Sequence, residues 1–130
     1  MTDIYYLTSA QVLFIHKRVI DETGGAQGVR DIHALHASII RPQMTFEERR
    51  LFPDIFAQAA ALLHAIILNH PFVDGNKRTG LAAAALFLRI NGRKLSVTHE
   101  ALESFVLDVA KGHYDVEAVA SWLRAHSQEL

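Results

Sequence analysis

The chain has no cysteine. That excludes a disulfide scaffold, a cysteine nucleophile and thiolate metal ligation, and a reducing compartment fits. No excess of either charge is present: 13 Lys and Arg stand against 14 Asp and Glu, a formal net charge of −1, with both signs interspersed. A basic stripe for nucleic acid is therefore missing, although a local cationic pocket remains open. There is no long apolar run. The most apolar stretch, Ala57 to Leu68, is interrupted by Gln58 and His64 and is too short to span a bilayer. Met1-Thr2-Asp3-Ile4 lacks the basic and apolar regions of a signal peptide. Repeats, low-complexity tracts and linker-like segments are also missing. The expectation is a soluble cytoplasmic protein with no membrane contact and no direct nucleic-acid partner.

What is present is half hydrophobic over 130 residues. That suits one domain spanning 1–130, which buries roughly two-thirds of its unfolded surface. The apolar spacing is helical. Thr8 and Gln11 make a capping box ahead of Val12, Ile15, Val19 and Ile20, and Gly24-Gly25 stops that helix. Asp31 caps a second helix with Ile32, Leu35, Ile39 and Ile40, closed by Pro42. Gln43 to Glu48 is a connector of unassigned form. A long helix starts near Pro53 and ends near Asn69. The next, roughly Asn76 to Ile90, is apolar nearly all round and is expected to be the central helix, ended by Asn91-Gly92. Lys94 to Val97 is a candidate extended segment. Thr98 caps a helix reaching Lys111, with Gly112 as its stop, and Asp115 caps a last helix with Val116, Val119, Trp122 and Leu123 inside. The fold class is all-α: a single compact bundle of about six helices around a buried central helix.

Chemistry concentrates in His70-Pro71-Phe72-Val73-Asp74-Gly75-Asn76-Lys77-Arg78-Thr79-Gly80. A helix N-terminus offers unpaired amides and partial positive charge, Gly75 lets the backbone approach a ligand, and Lys77 and Arg78 add full charges. A plain exposed turn into a helix is the alternative. Asp74 is of the type that binds Mg²⁺ beside phosphates, or equally an ordinary helix cap. His70 is of the type that accepts a hydroxyl proton, or makes a structural hydrogen bond at a helix end. Phe72 reads as the anchor of the loop in the core. Neither a Walker A run nor G-x-G-x-x-G occurs. Elsewhere, His33 and His36 share a helix face without further ligands at recognisable spacing. His64 reads as a core or groove histidine, and Trp122 as core. Arg30, Arg41, Arg49 and Arg50 read as solvated charges.

The run resembles the Fic/Doc signature H-x-F-x-[D/E]-G-N-x-R-x-x-R at His70, Phe72, Asp74, Gly75, Asn76 and Arg78. Asn76-Lys77-Arg78-Thr79 and Leu86-Phe87-Leu88-Arg89-Ile90-Asn91-Gly92 look like its Doc (death-on-curing) branch. The resemblance implies a Fic-like helical fold. It implies His70 as general base, Asp74 as the Mg²⁺ ligand, and Gly75, Asn76, Lys77 and Arg78 as the cradle for the phosphates of ATP.

One position departs from the signature. Its second arginine falls at position 81, which here is Leu81. In adenylyl-transferring members that arginine helps turn the α-phosphate to the acceptor, and one charge-assisted hydrogen bond is worth about 1.5–3 kcal/mol. Doc-type proteins share the substitution and look like kinases that transfer the γ-phosphate. The resemblance thus implies a toxin of a toxin–antitoxin pair that phosphorylates a Thr or Ser hydroxyl of a translation factor such as elongation factor Tu. Adenylyl transfer is the runner-up, and an inactive Fic-fold interaction module the third reading. The family's inhibitory pattern, [S/T]-x-x-x-E-[G/N], has no match here; Thr98-His99-Glu100 and the stretch from Ser121 do not fit. An antitoxin in trans is therefore expected, its C-terminal segment blocking the site from a groove.

Overall fold

The structure, a computed structural model, describes residues 3–130; the part of the leader reading that falls on Met1 and Thr2 lies outside the described residues. Six helices carry the fold: α1 Ser9–Thr23, α2 Ile32–Ile40, α3 Ile55–Asn69, α4 Asn76–Ile90, α5 His99–Ala110 and α6 Val116–Ala125. The protein is all-α with small β additions, as its periodicity predicts. No helix among the described residues is long and apolar enough to cross a membrane.

Five of the six helices start on a side-chain cap. Thr8 and Gln11 form the reciprocal box of α1. Asp31 accepts from His33 and Ala34, Asp54 from Ala57, Thr98 from Ala101 and Asp115 from Ala118. Each satisfies first-turn amides that would otherwise lack a partner. The start of α3 differs from expectation. Pro53 precedes the helix rather than opening it, because the Asp54 carboxylate takes the Ala57 amide at 2.8 Å and makes Ile55 the first helical residue.

The central helix is α3, not α4. Nine of its fifteen residues are buried, from Gln58 through Ile67, and it touches α2, α4, α5 and α6. The sequence of α4 is as apolar in its middle, but it lies at the surface along one side, with Lys77, Arg78, Arg89 and Ile90 exposed. The two helices cross closely at Gly80, where an added Cβ would stand 3.0 Å from Ile67 Cγ1 and 3.3 Å from the Leu63 carbonyl. Val12, Leu35, Phe72, Phe87, Leu88, Phe105, Val119 and Leu123 complete the core, each large apolar side chain contributing roughly 1.5–3 kcal/mol on full burial. Trp122 stacks on Phe105 at 3.8 Å and packs against that core, half-buried.

Two short antiparallel strand pairs complete the fold. The unassigned connector is a 3₁₀ turn at Arg41–Gln43 followed by β1 Thr45–Phe46 and β2 Arg49–Arg50, paired Thr45 to Arg50. Glu47 and Glu48 form its tip at positive φ. The extended segment expected near Lys94 is β3 Arg93–Leu95, and its partner is the C-terminal β4 Ser127–Glu129.

Candidate functional site

The motif occupies the joint between α3 and α4. His70 ends α3 in the left-handed region, φ 48° and ψ 58°, with its side chain exposed. Phe72 is fully buried and stacks on His16 of α1, with rings 3.8 Å apart and 5° from parallel. The loop is packed into the core at this residue.

Asn76 turns inward rather than toward solvent. Its Oδ1 accepts from the Phe72 amide and its Nδ2 donates to the Phe72 carbonyl, both at 2.9 Å. Its side chain is only 8% exposed. What Asn76 can offer a phosphate is its backbone amide.

Asp74 does not cap α4. Gly75 occupies the cap position at φ 77°, and no side chain closes the first turn. A left-handed backbone favours glycine there, and a Cβ would meet Ile20 Cδ1 at 2.9 Å. Asp74 instead turns to the glycine-rich loop between α1 and α2. Its Oδ2 accepts from the Ala26 amide at 2.8 Å. No hydrogen bond among the described residues engages Oδ1, and Asp74 is exposed. One carboxylate oxygen is held and the other is open, a donor that fits Mg²⁺ sharing phosphate oxygens. The Asp74 carbonyl accepts from His16 Nε2 at 2.8 Å.

A cavity of about 410 Å³ opens over the start of α4, lined by Gly75, Asn76, Lys77, Arg78, Glu103, Val106 and Leu107. Lys77 has no ion pair or hydrogen bond among the described residues. Among the described residues, Arg78 donates only to Thr23 Oγ1, at 3.3 Å. His70 and Asp74 are not part of that lining. A second cavity, about 520 Å³, shares Lys77, Arg78, Glu103 and Val106 and continues along Leu81, Ala82, Ala85, Leu95 and Leu102. Position 81, where the resemblance leads one to look for an arginine, is part of an apolar wall.

His33 and His36 are both exposed, and no group of three or more His, Asp or Glu poised for a metal occurs among the described residues. His64 is partly buried, and that burial pulls its pKa below the usual 6.5. Arg30 is not a free surface charge. Its Nε and Nη2 donate to the carbonyls of His70 and Asn69. Sequence reasoning missed three contributors. His16 carried a signal, a polar residue on the buried stripe between Val12 and Ile20. Ala26 and Arg30 carried none, because each acts on backbone or carboxylate far away in sequence.

The Fic/DOC family model matches residues 6–88. The chain is 40% identical over 102 residues to the Toxin Doc of Mycolicibacterium smegmatis, covering 77% of this chain and 78% of that protein. It is 34% identical over 121 residues to the Protein kinase doc of Escherichia phage P1, covering 92% and 93%. The chain belongs to the Fic/DOC family.

Proposed function

We propose that this Fic/DOC protein is the toxin of a toxin–antitoxin pair and transfers the γ-phosphate of ATP to a Thr or Ser hydroxyl of a translation factor such as elongation factor Tu. One observation carries the reading. The only α-helix start among the described residues without a side-chain cap is that of α4, and it faces a cavity with Lys77 and Arg78 at its rim. Relatives named as a toxin and as a protein kinase support it.

The uncapped amides of α4 bind phosphate oxygens, aided by the helix dipole. Lys77 and Arg78 neutralise the charge that remains. His70 takes the proton of the acceptor hydroxyl. The hydroxyl oxygen forms a bond to the γ-phosphorus as the bridging P–O bond breaks, and ADP leaves with the electron pair. Asp74 would hold Mg²⁺ through Oδ1, and the ion would supply charge neutralisation on the phosphates. Leu81 favours this direction of transfer, because it supplies no cation to turn the α-phosphate to the acceptor.

An antitoxin in trans is the second half of the proposal. The apolar groove along Leu81, Ala82, Ala85, Leu95 and Leu102 runs directly into the cradle, so an apolar segment laid in it would reach Lys77 and Arg78. Mass spectrometry of elongation factor Tu incubated with the protein, ATP and Mg²⁺ tests the reaction. A gain of about 80 Da supports phosphoryl transfer, about 329 Da would replace it with adenylyl transfer, and no gain on any translation factor overturns it.

A further inference from the structure

The end of α3 is finished unlike the ends of the other helices. In α1, α2, α4, α5 and α6 the amide of the C-cap residue folds back onto a carbonyl of the last turn. At His70 no such bond forms. The terminal carbonyls of α3 face a different segment, the start of α2.

Four donors from two consecutive residues serve them. Arg30 Nε donates to the His70 carbonyl at 2.6 Å and Nη2 to the Asn69 carbonyl at 2.8 Å. The amides of Arg30 and Asp31 both donate to the Pro71 carbonyl, at 2.8 and 3.1 Å. Three successive carbonyls, 69 to 71, are therefore fixed from outside. The guanidinium presents a planar fork that matches adjacent acceptors, and its charge opposes the negative end of the α3 dipole.

Arg30 is itself exposed, so it contributes little to the core. Its effect falls on a residue that needs holding. His70 is a non-glycine residue in left-handed geometry, a conformation that surrounding structure must impose. Rotating the peptide planes on either side of it would swing the imidazole. The cradle on α4 is built from separate contacts, the Asn76–Phe72 pair and the His16 bond, none of which involves Arg30.

We propose that Arg30 is a positioning residue for the His70 imidazole, acting on the rate of transfer and not on nucleotide binding. The proposal rests on His70 being the base of the reaction proposed above. Arg30→Ala should lower kcat by roughly 10- to 100-fold, since a small misplacement of a reacting group costs that much. KM for ATP should change less than about threefold, within the scatter of conserved binding. Arg30→Lys keeps the charge but loses the fork and should recover part of the rate. In ¹H–¹⁵N spectra the imidazole resonances of His70 should shift in Arg30→Ala while the amides of residues 76–78 stay in place.

An unchanged kcat overturns the proposal. So does a parallel loss of kcat, ATP affinity and melting temperature, which would make Arg30 a structural staple. If Arg30→Ala does not fold, Arg30→Lys carries the same kinetic and spectral comparison. If the wild-type protein transfers nothing, the reaction proposed above fails, and the spectra alone decide: undisturbed His70 resonances overturn Arg30's role, and displaced ones support it.

Discussion

The starts of α3 and α4 stand at opposite ends of one helical hairpin and are finished in opposite ways. Asp54 closes the first turn of α3, accepting from Ala57 at 2.8 Å and taking Arg124 Nη2 on its other oxygen at 2.9 Å. Gly75 leaves the first turn of α4 open, while Asp74 is drawn away to Ala26. The same residue type lies at or just before both boundaries. Placed at the cap it contributes stability; placed one residue earlier, and diverted, it leaves the amides free for a ligand. The difference separates a boundary that only ends a helix from one that can do chemistry.

The largest effect should come from leaving both starts alone and removing the base. His70→Ala should lower transfer to elongation factor Tu by at least the 10²–10⁴-fold typical of a general base, measured by phosphate incorporation, and relieve growth arrest. Retained activity would mean that the open start acts without His70. Next come the cations of the open start. Lys77→Ala and Arg78→Ala should each raise KM for ATP by roughly 10- to 100-fold, as loss of a charge-assisted contact of about 1.5–3 kcal/mol implies, with melting temperature nearly unchanged. An unaltered KM would place the phosphates elsewhere.

The closed start should respond in the opposite sense. Asp54→Ala should cost about 1 kcal/mol of stability through the lost cap, read by chemical denaturation, and leave KM for ATP alone. A change in KM there would erase the contrast. The smallest effect concerns His64 in the middle of α3, whose pKa is lowered first by burial and raised in part by the Tyr114 backbone. The unfolded chain binds that proton more readily, so stability should be full above pH 6.5 and decline as pH falls through the interval down to the lowered folded value. His64→Gln should flatten this slope in denaturation measured between pH 7 and 5. An unchanged slope would assign the acid response to other groups.

Much of this was legible in the chain because it is local. Thr8, Asp31, Thr98 and Asp115 mark helix starts through contacts within three residues. The motif was legible because its residues are consecutive. What stayed hidden depends on distance. The strands of the hairpin at 45–50 and strand β4 are two or three residues long and mostly exposed, too short for any alternation to mark them. Which of α3 and α4 is central turns on what packs around each, since both read as apolar. The inward turn of Asn76 and the grip of Arg30 are visible only once Phe72 and the end of α3 have their places.

The pairing of Asn76 with Phe72 has a kinetic consequence. One side-chain amide occupies both polar groups of a backbone unit four residues earlier, much as a neighbouring strand would. The segment between them cannot open without losing both bonds and withdrawing Phe72 from its stack on His16. Its ordering entropy is spent when the chain folds, and none remains to be lost when a nucleotide arrives. Rapid-mixing traces of ATP binding should show a single phase, linear in ligand concentration, with no slower rearrangement behind it.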